Sequence, residues 1–135
     1  MKHAVHTWCF TALALWTLTV FVVRKRIGGF AAIRSWIDAS EVLGEDASHD
    51  VIRRAVRAVD VACGYFPRDV RCLGRAATLT RLLRRHGVAA HFVIGTRMQP
   101  FAAHAWVECC GLILGQLEEH RRYVEIDRLP ARAKR

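Results

Sequence analysis

Between Cys72 and Gly87 the chain has little choice but to be helical. Leu73, Ala76, Leu79, Leu82 and Leu83 recur at helical spacing, and Arg84-Arg85-His86 place positive charge in the last turn, where it suits the helix dipole. Gly87 follows as the residue able to leave the helix through a positive φ. One amphipathic helix must cover its apolar face with something, and the sequence downstream supplies strands. Val88–Ile94 reads as a buried strand and Ala102–Cys109 alternates. Gly111 permits a reversal into Leu112-Ile113-Leu114, and Tyr123–Asp127 is a further strand. A helix followed by a run of short strands predicts an α+β domain, with that helix packed on a small antiparallel sheet. The stretch Gly95-Thr96-Arg97-Met98-Gln99-Pro100 is expected to be a turn or a loop facing a substrate.

Upstream, Ser48 can cap a helix with Asp50 in its first turn and Val51, Ile52, Ala55, Val59 and Ala62 on one face, stopped by Gly64. Arg53, Arg54 and Arg57 then form its solvated side. Further back, Thr7 to Val23 is uncharged and ends at Arg24-Lys25-Arg26. As a helix this run would be about 26 Å long, at the short limit for a bilayer. Its large residues, among them Leu13, Trp16, Leu18 and Phe21, are read as surrounding the helix. Two placements follow: membrane contact through residues 7–23, with all that follows on the cytoplasmic side, or docking on the domain or on a partner. Gly28-Gly29 is expected to break the chain before a short helix from Phe30 to Leu43. The organisation predicted is an apolar N-terminal helix with a short connecting helix over 1–47, a domain over 48–130 and a basic tail over 131–135.

A net charge of +9 points to an acidic partner. The basic residues are scattered and lack the interleaved aromatics of a nucleic-acid platform, so no nucleic acid is expected. Cys9, Cys63, Cys72, Cys109 and Cys110 form an odd, irregular set without a C-x-x-C pair, which argues for a reducing compartment and a cytoplasmic location. His91, His104, Cys109 and Cys72 lack the local ligand spacing of a zinc site, so neither metal nor other cofactor is expected.

What remains is a pair. Cys72 opens the helix that ends at Gly87, where unpaired N–H groups and the dipole favour a thiolate and could hold an oxyanion; Arg71 and Arg75 push the same way and Asp69 opposes them. His104 opens the alternating strand Ala103-His104-Ala105-Trp106-Val107-Glu108, far enough on for a helix N-terminus to meet a strand end. Such a pair suits nucleophilic catalysis, by hydrolysis or by acyl transfer to an amine. The other reading is a structural cysteine in a non-catalytic, membrane-tethered adaptor. A third group should orient the imidazole. If Cys109-Cys110-Gly111 is a three-residue loop, Glu108 pairs with Leu112 and His104 faces Gln116; Glu118, Glu119 and Asp127 are the anionic alternatives. Glu108 is expected to hold an arginine, and Trp106 to pack beside the site.

The ordered set Cys72-Leu73-x-Arg75, Leu82-Leu83-Arg84-Arg85-x-Gly87, Val93-Ile94-Gly95-x-Arg97 and Pro100-Phe101-x-Ala103-His104-Ala105-Trp106-Val107-Glu108 resembles the lasso-peptide biosynthesis leader peptidases. The likeness runs from about Tyr65 to Leu114, with a weaker tail to Leu129. It implies a transglutaminase-like, papain-related cysteine protease fold and removal of the leader from a ribosomally made precursor. It also implies Cys72 as nucleophile, His104 as general base and acid, and a third residue at or near Gln116, where the family usually has Asp. Arg97 and Trp106 are the substrate-binding candidates. The partners implied are the precursor leader, a separate small leader-recognition protein, since no such domain fits before Ser48, and an ATP-dependent cyclase.

Overall fold

The computed structural model describes residues 2–43, 48–67, 70–114 and 122–132, with side chains in the first helix described from Cys9 onward. Three helices, α1 (Lys2–Asp38), α2 (His49–Tyr65) and α3 (Cys72–Arg85), precede four strands, β1 (His91–Met98), β2 (Phe101–Cys109), β3 (Leu112–Leu114) and β4 (Val124–Leu129). The sheet is antiparallel throughout, in the order β3-β2-β1-β4. The helices pack on one another, α3 lies against β2 and β1, and α1 reaches β4. The α+β architecture read from the sequence is the one observed.

Local signals set the helix ends. The Ser48 side chain accepts a hydrogen bond from the Val51 amide and caps α2. Gly87 takes φ 85° after α3, as the chain reversal there requires. The core lies between the helices and one face of the sheet, where Leu79, Leu82 and Leu83 of α3 meet Phe92, Ala105, Val107 and Leu129.

Helix α1 departs most from expectation. The helix is interrupted where the sequence places a break: Gly29 leaves the helical region, at φ 64° and ψ −153°, so two helical segments meet there across a kink, and the second ends at Asp38 rather than Leu43. The large residues of the apolar run do lie on more than one side of the helix, with Trp16 and Val23 exposed. Phe10, Ala14, Leu18 and Phe21 form one buried stripe in the common core, beside α2 and α3. Docking on the domain therefore accounts for that face, in place of the membrane contact considered for residues 7–23. Among the described residues no helix is long and apolar enough to cross a membrane.

Two strand boundaries also differ. The segment 95–98, expected in a loop, completes β1 in register with β2, and only Gln99-Pro100 forms the turn. The β2–β3 reversal has two residues, Cys110 at φ 51° and Gly111 at φ 72°, the paired positive φ of a tight hairpin. Glu108 accordingly pairs with Ile113 and not with Leu112.

Candidate active site

Helix α3 starts at Cys72 itself. Arg71 is the N-cap residue, extended and without a side-chain capping bond, so the first amides of the helix have no side-chain acceptor from the cap. Two residues on, Gly74 admits a neighbour: a Cβ there would lie 2.6 Å from Val70 Cγ1 and 2.8 Å from Phe21 Cε1. The missing side chain lets α1 press against the first turn of α3 and fixes where Cys72 stands. Of the two cations expected to favour a thiolate, Arg75 is held by Asp60 of α2 at 2.6 Å. Its charge is therefore partly neutralised by the neighbouring helix. Asp69 lies outside the described residues.

His104 sits on β2 opposite Gly95 of β1. It and Cys72 border one cavity of about 210 Å³, completed by Arg75, Ala76 and Leu79 of α3, Ala105, Trp106 and Val107 of β2, and Leu114 of β3. The two side chains singled out in the sequence thus meet at one hollow between α3 and the sheet. Both are half-buried.

A connected set of groups surrounds the imidazole. Its centroid is 5.2 Å from the Tyr123 ring and 6.0 Å from Trp106. Trp106 Nε1 donates to Glu108 Oε1 at 2.9 Å, and Arg128 Nη2 donates to Glu108 Oε2 at 2.8 Å. Arg128 also grips Glu125 through two bonds, of 2.7 and 2.9 Å. Burial pushes the Glu108 carboxyl up, but the bonds from Trp106 and Arg128 outweigh it and hold the group below its ordinary value. Glu108 is thus the arginine partner that was expected. Trp106 is indeed beside the cavity.

The remaining candidates distribute differently. Asp127 pairs with Ile94 across the ladder, and its carboxylate takes two bonds from Arg34 of α1, at 3.0 and 3.2 Å. Those bonds hold it below the usual carboxylate range. The strand residue facing Gly95 from β4 is Glu125. Gln116, Glu118 and Glu119 lie outside the described residues. The two-residue turn shifts by one the register from which Gln116 was set opposite His104. Arg97 lies over the Tyr123 ring at 5.5 Å, and its buried Nε has no hydrogen-bond partner among the described residues. Among the described residues no group of three His, Cys, Asp or Glu side chains is arranged to hold a metal. Sequence reasoning missed Tyr123 and the role of Gly95. The latter was visible in principle, as a glycine interrupting a buried strand marks a close approach.

Residues 14–128 match the transglutaminase-like superfamily, and the chain belongs to it. Over 50 residues it is 40% identical to the microcin J25-processing protein McjB of Escherichia coli, a stretch that is 37% of this chain. The chain spans only 24% of that relative's length in the match. No solved structure matches the chain.

Proposed function

We propose that this protein is a cysteine peptidase that removes the leader from a ribosomally synthesised lasso-peptide precursor. The observation that carries the reading is the shared cavity of Cys72, first residue of α3, and His104 of β2. Similarity to a microcin-processing protein supports the substrate class. In this reading the Cys72 thiolate attacks the scissile carbonyl and the first amides of α3 hold the oxyanion. His104 protonates the leaving amine, then takes a proton from the water that releases the acyl-enzyme. Trp106 and Arg97 flank the bound peptide. Gln116 is kept as the proposed orienting group for His104 on the resemblance alone, since the observed register no longer sets it opposite the imidazole. Asp127 is the weaker alternative because Arg34 already holds its carboxylate. Glu118 is the other. The enzyme acts with a separate leader-recognition protein and hands the core peptide to an ATP-dependent cyclase.

The test is processing of the precursor with those partners present, followed by mass spectrometry. Cys72→Ala should abolish release of the leader while leaving the protein folded; full processing by that variant would overturn the assignment. Adding a small primary amine separates the two acyl-enzyme chemistries. An amide product in place of the free acid would make the protein an acyltransferase.

A further inference from the structure

Helix α1 has a second apolar stripe, exposed among the described residues at Trp16, Val23 and Ile27, while Val20 between them is partly buried against the core. Trp16, Val20, Val23 and Ile27 follow one another at intervals of four, three and four residues, the spacing of a seam between paired helices. Trp16 is 68% exposed, Val23 49% and Ile27 83%. These residues line a groove of about 540 Å³ that extends to Ala32, beyond the kink at Gly29. A second cavity, of about 410 Å³, adjoins it along Trp16 and Val20 and is walled on its far side by Arg81 and Arg85 of α3.

Glu41 also lines the second cavity, but the cations Arg24, Arg81 and Arg85 outnumber it along the two hollows. Arg81 lies 4.5 Å and Arg24 5.9 Å from the centre of the Trp36 ring. Burial, and then the charges of Arg24 and Arg85, lower the Arg81 guanidinium from its ordinary value, the mark of cations crowded together. None of the ion pairs among the described residues uses Arg24, Lys25, Arg26, Arg81 or Arg85.

We infer that this trough is the docking site for an acidic amphipathic helix of a partner protein, its apolar seam lying on Trp16–Ile27 and its carboxylates facing Arg24, Arg81 and Arg85. Charge selects that occupant over a second copy of the chain. A second copy would lay against the stripe an α1 segment that carries Arg24-Lys25-Arg26 and, from Thr7 to Ile37, no carboxylate to face the cations. The wall that Arg81, Leu82 and Arg85 of α3 raise beside Trp16 and Val20 makes room for a rod between two helices, whereas a lipid surface is met with a broad apolar face. Docking there does not involve Cys72, and it stands or falls separately from the peptidase reading.

The probe is a fluorescent synthetic helical peptide with Leu at seam positions and Glu at the flanking ones. It is compared by anisotropy with a Lys counterpart and with a scrambled peptide of the same composition, all against the full chain. The acidic peptide should bind saturably, about ten-fold or more tighter than either control. Ile27→Glu should weaken it by about ten-fold, and Arg24→Glu combined with Arg85→Glu should reverse the preference toward the Lys peptide. Cys72→Ala should leave it unchanged. Equal binding of acidic and scrambled peptides, or indifference to Ile27→Glu, would overturn the proposal. So would an Ile27-dependent dimer in sedimentation, or Ile27-dependent binding to phosphatidylcholine–phosphatidylglycerol vesicles by a chain that ignores the peptide.

Discussion

The indole of Trp106 lies where a side chain on Gly95 would have to go: a methyl there would sit 2.7 Å from Cη2 and 2.8 Å from Cζ3. Glu108 ties the indole N–H at 2.9 Å, so the ring cannot simply slide along the strand. On its other side stands His104. Gly95→Ala should therefore displace Trp106 and disturb the imidazole beside it. The expected stability loss is about 1–3 kcal/mol, the range for overpacking a filled site. Precursor processing should fall about ten-fold or more. Thermal denaturation and the processing rate measure the two together; unchanged values for both would mean that the strand yields without moving the ring.

Arg84 is the largest fully buried side chain, and it has no carboxylate within ion-pair distance among the described residues. It donates instead to the carbonyls of Ile37 and Ser40 at the end of α1, of Ala90 before β1 and of Leu129 in β4, and to the Ser40 hydroxyl. One guanidinium thus closes the backbone acceptors of three separate segments. Arg84→Ala leaves those carbonyls buried and unpaired and should cost about 3–5 kcal/mol. Arg84→Lys keeps the charge but not the planar fork, and should recover only part of that. Urea denaturation of the two variants gives the comparison; a fully stable Lys variant would show that charge alone suffices.

Arg84 also shows where the sequence stops being legible. It stands in Arg84-Arg85-His86, a basic end to a helix, and that pattern reads naturally as charge complementing a dipole. Arg85 fits the pattern and is exposed, while Arg84 is buried. The difference depends on which carbonyls three distant segments bring together, and local spacing carries no record of that. The same limit applies to the run 7–23. Its hydropathy was plain, but which residues face the core depends on α2 and α3, so Phe10–Phe21 and Trp16–Ile27 were not separable as two stripes. By contrast Cys72 at a helix start, His104 on a strand and the Ser48 cap follow from short-range rules and were readable, whereas for Glu108 the need of an arginine was readable but not that Arg128, twenty residues on, supplies it. Register sits between the two cases. A hairpin one residue shorter than expected, at Cys110-Gly111, moves every cross-strand pair by one.

The Glu108 carboxyl predicts an acid transition with a definite sign. Its folded value is held below the ordinary one by Trp106 and Arg128, against the effect of burial. The stabilisation is fully present above the ordinary carboxylate value and is lost as pH falls through the depressed folded value. Glu108→Gln should be less stable than the parent near neutral pH by about 1 kcal/mol. The two stability curves should converge as the solution is acidified. The Trp106 indole N–H resonance should shift over the same interval in the parent and stay put in the variant. A gap between the curves that persists at low pH would locate the effect in packing and not in charge.

The five thiols should separate cleanly under alkylation near neutral pH. Cys109 is buried in the core, and burial together with its neighbour Cys110 pushes it up to about 11. It should stay unmodified by iodoacetamide until the protein is denatured. Burial likewise raises Cys63, which should react slowly. Cys9 and Cys110 are exposed and set the rate of an ordinary surface thiol. Cys72 is less exposed than either, yet it borders the cavity shared with His104. On the proposed mechanism it should react about ten-fold faster than Cys9. His104→Ala should remove that advantage and leave Cys9 and Cys110 unchanged. Peptide mapping by mass spectrometry resolves all five sites in one time course. A Cys72 rate that is no faster than Cys9, or that is indifferent to His104→Ala, would take the imidazole out of the activation of the thiol.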